Sequence, residues 1–444
     1  MGVLVHFRAA LLLLCGTLGV LGATAQSIST TNPVPAAPQN VTPVEALKVN
    51  DFKKIDASTG WVNTGDMLLM TTDNGAHWKN ISPSAPTSAT PSDSRFSGVF
   101  FLNAQTGWVL YTTETDDADT APSVVYNTYL ESTADGGATW NTVSQLPPLN
   151  GLDTVGAGFV IFSDPLHGWV NLDAVHAGVL FATADAGHTW RRETGNPGTG
   201  SDLVAPDNQD LWMTGGIDYK LFASHDGGNS FQQVSIPLPA NIDPDSYPTY
   251  SLTTFTDSKN GYETVDYAAG AATNSAIALF HTADGGQTWT LDREILNLPP
   301  STSGEQTPSA IAGSTWILPL APAGQQPKTI RLSPGAAPVD AAAANLQYND
   351  CDLSFIAPDY GWMNCSGELF STPDGGMTRV VITPRARDGV LTTDPVTPIA
   401  PAAARPALST PSVAAPNLSS GPATGVSQRL GFDSTDVLSS DYGG

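Results

Sequence analysis

The chain has 444 residues, of which 14% are charged, with 42 Gly and 35 Pro. That is too little charge and too much turn chemistry for a helical bundle, and it points to an all-β chain long enough for one large closed domain plus flexible ends. The formal net charge of −24 opposes a nucleic-acid role, where affinity comes from Lys and Arg neutralising phosphates, and it opposes anionic membrane surfaces for the same reason.

In chain order, Met1 to Ala25 read as a signal peptide. Arg8 precedes an apolar run from Ala9 to Leu21, and Ala23-Thr24-Ala25 supplies a cleavage site of small residues. Cys15 is no lipoprotein anchor, because Leu14 stands where a small residue is needed. No later segment offers the roughly 18 apolar residues of a membrane span, so the sequence predicts a secreted or periplasmic protein. Residues 26–44, rich in Pro, Ser, Thr and Asn, are expected to form a flexible leader.

From residue 45 onward an eight-residue pattern recurs six times: Thr71–Trp78, Thr133–Trp140, Thr183–Trp190, Ser224–Phe231, Thr282–Trp289 and Thr372–Arg379. The third place holds Asp73, Asp135, Asp185, Asp226, Asp284 and Asp374, the fifth place is always Gly, and four copies close on Trp78, Trp140, Trp190 and Trp289. A second mark precedes each copy: Gly60-Trp61, Gly107-Trp108, Gly168-Trp169, Leu211-Trp212, Gly261-Tyr262 and Gly361-Trp362. These aromatics are spaced by 47, 61, 43 and 50 residues as far as Tyr262, and the next interval is 100. Thr315-Trp316, with a strand-like Lys328 to Leu332 behind it, divides that gap and reads as a degenerate unit.

A repeat of about 50 residues with several short strands is the signature of a propeller, since no unit can bury both faces of its small sheet alone. The expected fold is therefore all-β, a seven-bladed β-propeller of four-stranded antiparallel blades over residues 45–385, with disordered termini. In the last unit the strands are drafted at Leu353–Ile356, Gly361–Asn364, Glu368–Thr372 and Thr378–Ile382.

The motif Ser/Thr-x-Asp-x-Gly-x-Thr-Trp is similar to the Asp box, or bacterial neuraminidase repeat (BNR). Its coupling to an upstream Gly-Trp strand resembles the photosystem II stability and assembly factor family of propellers. The resemblance implies the propeller fold and a non-catalytic protein-binding or assembly role. Sialidases, sortilin-type receptors and xyloglucan hydrolases share the box, so a glycan-binding or glycan-hydrolysing protein is the alternative it implies. Physically, the box suits a hairpin between third and fourth strands: the Asp accepts backbone N–H groups across the turn, the Gly supplies a positive φ, and the Trp buries its ring against its own blade. A carboxylate occupied by its own turn has few lone pairs left for a metal or for acid–base work.

Catalytic constellations are thin. A sialidase needs three arginines converging on a substrate carboxylate, a Tyr–Glu pair and an Asp acid. Residues 45–385 hold seven Arg: Arg95, Arg191, Arg192, Arg293, Arg331, Arg379 and Arg385. Arg191 and Arg192 directly follow a box and Arg379 lies within one, and the N-terminal Arg-Ile-Pro signature is missing. His77, His188 and His225 lie inside boxes, His281 abuts one, His167 precedes a Gly-Trp strand, and only His176 stands apart. No catalytic residue, cofactor or metal ligand is predicted. Beyond the signal segment only Cys351 and Cys365 occur, symmetric about Pro358 in the last unit, and they are expected to form a disulfide across its first hairpin.

Strand order places the first-to-second turns and the boxes on one face of the disc and the remaining loops on the other. The long insertions, Tyr111 to Asn127, Pro237 to Tyr250 and Glu263 to Ser275, are of the second kind. They carry Glu114, Asp116, Asp117, Asp119, Asp243, Asp245, Glu263 and Asp266 together with Tyr111, Tyr126, Tyr247, Tyr250 and Tyr267. The reading is an acidic, tyrosine-bearing rim that docks a protein partner, with carbohydrate as second option. Residues 386–427, dominated by Pro, Ala, Thr and Ser, read as a linker. The tail 428–444 includes Arg429-Leu430-Gly431-Phe432-Asp433, similar to the opening strand of secreted glycoside-hydrolase-like barrels. That likeness marks either a truncated second domain or chance.

Overall fold

The computed structural model describes residues 43–392 apart from 85–93, 117–123, 149–153, 175–176, 196–202, 216–219, 252, 269–274, 299–309, 321–327, 334–338, 343–350 and 377. The signal segment, most of the leader, and the linker beyond 392 lie outside the described residues. Every regular element among those described is a strand. Seven successive antiparallel meanders occur, at 51–80, 94–145, 154–192, 203–233, 247–298, 310–342 and 351–381, and we number them as blades 1 to 7. Each has four strands in the order of the chain, except that in blade 5 the first strand is split into Tyr247–Tyr250 and Thr254–Phe255. The architecture is a β-propeller. Blade 7 runs Cys351–Ala357, Tyr360–Cys365, Glu368–Thr372 and Val380–Val381, close to its drafted strands.

Both faces of each blade meet a neighbour, so inner strands are apolar without alternation. In blade 1, Leu68 and Met70 pack toward blade 2, whereas Leu69 between them packs toward blade 7. Seven apolar clusters result, each drawn from two adjacent blades, and one of them joins blades 7 and 1. The ring is therefore closed. First strands lie against each other where blade 2 meets blade 3, blade 6 meets blade 7 and blade 7 meets blade 1, and so stand innermost there.

The Gly-Trp mark has a steric cause. In four blades a first-strand Phe lies directly over the glycine, pairing Phe101 with Gly107, Phe162 with Gly168, Phe255 with Gly261 and Phe355 with Gly361. A Cβ at Gly361 would stand 2.4 Å from the Phe355 ring, so only glycine leaves room for it. Blade 1 replaces this Phe by Lys54, whose register partner is Gly60.

The tryptophans do not behave as expected. The box Trp reaches across to the preceding blade: Trp78 Nε1 donates to the Ile382 carbonyl at 2.8 Å, Trp140 Nε1 to the Ile81 carbonyl at 2.6 Å, and Trp190 Nε1 to Ser144 Oγ at 3.0 Å. The Gly-Trp aromatic leans the opposite way, toward the following blade, so each seam receives one ring from each side. Trp362 meets Trp78 with centroids 5.8 Å apart, and Trp212 meets Trp289 at 5.8 Å. Blade 6 breaks the rule. Trp316 packs backward into the blade 5 cluster, edge-on to Tyr262 at 5.1 Å, while Ile317 faces blade 7. Because successive strand residues alternate faces, Trp316 is one position out of step with the other units. It occupies the seam that a box Trp of blade 6 would have filled.

The ring is latched at the seam between blades 7 and 1. Among the described residues no blade borrows a strand from another; Lys54 N donates to Ser354 Oγ at 3.0 Å, Asn74 Nδ2 to Ser371 Oγ at 2.9 Å, and Trp362 Nε1 to Asn74 Oδ1 at 2.8 Å. The buried Lys54 ammonium bonds Asn74 Oδ1 at 2.5 Å and the Ala57 carbonyl at 3.1 Å, and it lies over the rings of Tyr360 and Trp362. A separate small sheet joins Glu45–Ala46 to Arg385–Arg387 and Val390–Leu391. Residues 386–392, read as the start of the linker, are thus structured: Ala386 is buried and pairs with Glu45.

Candidate binding faces

The six boxes repeat one hydrogen-bond pattern. The Asp Oδ1 accepts the backbone N–H four residues on, at 2.7 to 2.9 Å. It also accepts the hydroxyl two residues back, at 2.8 to 3.1 Å. Oδ2 takes the Thr or Ser hydroxyl four residues on, at 2.6 to 2.8 Å, and in the first box it pairs with His77 Nδ1 at 2.6 Å. The hydroxyl two residues back in turn accepts the glycine N–H, at 2.7 to 2.9 Å. Fourth and fifth positions both take a positive φ, as in Asn74 at 59° and Gly75 at 87°. The fourth N–H donates to the first-to-second turn of the same blade, for example Gly136 N to the Gln105 carbonyl at 2.8 Å. Box turns and first-to-second turns therefore share one face, as expected.

These hydrogen bonds, led by the Thr hydroxyl four residues on, hold the carboxyls of Asp135, Asp185 and Asp284 down to about 2. Each of these groups is a turn element with three bonds accepted, and the six stand on six different blades. Histidines on this face are engaged locally: His167 Nδ1 meets Asp164 at 2.8 Å, His225 Nδ1 meets Asp210 at 2.7 Å, and His281 Nδ1 meets Asp292 at 2.8 Å. His176 lies outside the described residues. Among the described residues no group of three or more His, Cys, Asp or Glu is arranged to hold a metal ion. Cys351 and Cys365 are register partners joined by a disulfide.

The opposite face differs from the rim drawn from sequence. Tyr111, Tyr250 and Tyr267 are buried and Tyr247 is exposed, while the side chain of Tyr126 lies outside those described. The insertion at 111–127 lengthens a hairpin rather than making a loop, pairing residues from Tyr111 with Tyr129 to Asp116 with Val124. Tyr111 is half of an edge-on pair with Phe96, centroids 5.6 Å apart. Asp116 ends a strand, while Asp117 and Asp119 lie outside the described residues. Glu263 and Asp266 belong to the second strand of blade 5 and are buried. Turn-rich composition at these insertions hid strand continuations, since exposed and buried extensions of a hairpin carry similar residues.

Glu263 is the most unusual titratable group. It is fully buried and accepts Thr253 Oγ1 at 2.9 Å and Ser251 Oγ at 3.3 Å, from the gap in the split first strand. Burial pushes its carboxyl well above the ordinary glutamate range, against the pull of those hydrogen bonds. Sequence gave no sign of this, because an acid beside a Gly-Tyr pair looks like a surface residue. Lys54 is equally inconspicuous in the sequence; burial lowers its ammonium to about 8 despite nearby Asp56.

No family model matches the sequence, and no curated relative does. Among solved structures the chain is similar to YCF48 from Cyanidioschyzon merolae, at 14% identity over 75% of this chain and 96% of that one, with a TM-score of 0.43. It is similar to a PL25 ulvan lyase at 13% identity, covering 64% of this chain and 81% of the lyase, TM-score 0.41. A third is the GH93 α-L-arabinofuranosidase of Fusarium graminearum, at 13% identity over 69% and 95% of the two chains, TM-score 0.36.

Proposed function

We propose that this chain is an exported, non-catalytic propeller that acts as a protein-binding or assembly module. The observation that carries the reading is the state of the box aspartates: each accepts three hydrogen bonds within its own turn, so the six acids that recur around the disc are taken up by structure. The Cys351–Cys365 disulfide supports passage through an oxidising compartment. Cross-linking of the full-length protein in its native envelope, followed by mass spectrometry, is expected to return one discrete protein partner. A fluorogenic sialoside assay and a glycan array are expected to be blank. Turnover of the sialoside, or specific glycan binding with no protein cross-link, overturns the reading in favour of the glycan-active alternative.

A further inference from the structure

Blade 1 departs from the other units at two places, and the two departures meet. Lys54 takes the position that four first strands give to Phe. Asn74 is the one residue at the fourth box position with a polar side chain, where the other boxes hold Gly136, Ala186, Gly227, Gly285 and Gly375. Lys54 is 1% exposed, and its Nζ lies 2.5 Å from Asn74 Oδ1. Because a C=O bond is about 1.23 Å long, Nζ stands no more than about 3.7 Å from the Asn74 carboxamide carbon, near the separation at which addition begins.

The surroundings suit an acyl transfer between these two groups. Trp362 Nε1 donates to Asn74 Oδ1 at 2.8 Å and so holds the oxygen on which charge gathers during attack. Asn74 Nδ2 donates to Ser371 Oγ at 2.9 Å, which sets a hydroxyl beside the departing nitrogen. Nζ lies 4.5 Å from the ring centroid of Tyr360 and 4.9 Å from that of Trp362, so blade 7 covers it with apolar surface. Burial favours the free amine, with the ammonium at about 8 against the usual 10.5 although Asp56 opposes this, and the free amine carries the lone pair that attack needs. The rival nucleophile is the backbone nitrogen of Gly75, which in an Asn-Gly pair can close a cyclic imide. Here it is occupied: Gly75 N donates to Thr71 Oγ1 at 2.9 Å, in a turn that fixes Asn74 at φ 59° and Gly75 at φ 87°.

We propose that Lys54 and Asn74 become joined by an isopeptide bond, which fastens the first strand of blade 1 to its own box turn at the seam where the ring closes. Nζ adds to Cγ, the carbonyl electrons move onto Oδ1, and they return as the Cγ–Nδ2 bond breaks. One proton passes from Nζ to Nδ2, which leaves as ammonia, so neither an oxidant nor a second reactant is consumed. The Asn74 carboxamide becomes a secondary amide of the Lys54 side chain, and the charge buried beneath Trp362 disappears.

The test is intact mass spectrometry of the purified full chain, denatured and reduced just before injection, followed by peptide mapping. After the folded protein has stood at about pH 9, where the amine is free, its mass is expected to be lower by one ammonia, about 17 Da. The digest is expected to contain a branched peptide joining Lys54 to Asn74. Lys54→Arg and Asn74→Gly are expected to abolish that peptide. The glycine variant keeps the turn, since Gly136, Gly227, Gly285 and Gly375 hold the same place at positive φ in other boxes. The parent chain alone gives the reading, so a variant that fails to fold does not blunt it. Linear Lys54 and Asn74 peptides overturn the proposal, whether the ammonia is retained, lost elsewhere, or lost at Asn74 to the Gly75 nitrogen. A branched peptide that survives Asn74→Gly overturns it as well.

Discussion

A box aspartate and Glu263 show opposite solutions to placing a carboxylate in a sheet protein. Asp135 is exposed yet held charged by the Thr139 hydroxyl and N–H and by the Thr133 hydroxyl. Its folded carboxyl sits at about 2, below the ordinary range near 4, so its stabilisation is present above pH 4 and is lost as pH falls toward 2. Thermal melts from pH 7 to pH 2 are expected to show that decline, and to show less of it in a variant with Asp135, Asp185 and Asp284 all changed to Ala, whose melting point at pH 7 is lower by several degrees. Glu263 works in reverse. Its folded carboxyl lies above the ordinary 4.5, so the native state keeps a proton that the unfolded chain has lost, and stability falls as pH rises above 4.5. Glu263→Gln is expected to be more stable than the parent at pH 7, by on the order of 1–3 kcal/mol, with the gain vanishing below pH 4.5 in urea titrations.

At the level of the element, blade 7 and blade 6 mark what sequence carries and what it does not. The blade 7 hairpin was legible because Cys351 and Cys365 stand equidistant from a turn, and antiparallel register does the rest. Its disulfide closes a loop of sequence separation 14, for which chain-entropy arguments give about 3 kcal/mol. Reduction, or Cys351→Ser with Cys365→Ser, is expected to shift the urea midpoint accordingly. Blade 6 was legible as a unit from Thr315-Trp316 and Lys328–Leu332, but the direction of Trp316 was not. A run buried on both faces has no alternation to read, and a slip of one residue exchanges the two seams. The box Trp rings turn to the preceding blade and not to their own, which sequence hides for a related reason: their partners, such as Ile382 for Trp78, are remote in sequence. Leu296 is exposed beside a bulge opposite Ala276, which spacing alone does not announce.

For the whole molecule, repetition made the ring readable and its closure unreadable, because the latch uses residues that depart from the repeat. Lys54 stands where four blades have Phe, and the strand Glu45–Ala46 directly follows a segment, 26–44, that composition marks as loose. Val49 is buried in the cluster between blades 7 and 1, and its N–H donates to the Gly367 carbonyl at 3.0 Å. Deleting residues 43–49 is expected to cost about 2–3 kcal/mol, chiefly from Val49, with a cooperative transition retained because the seven seams persist. Denaturant melts of the truncated and full-length chains check this.

The pairing of Glu45–Ala46 with Arg385–Arg387 brings entry and exit of the disc to one place on its circumference. The described chain enters and leaves the disc side by side, next to the seam of blades 7 and 1. Tension applied across residues 43 and 392 therefore loads this one small sheet before any blade.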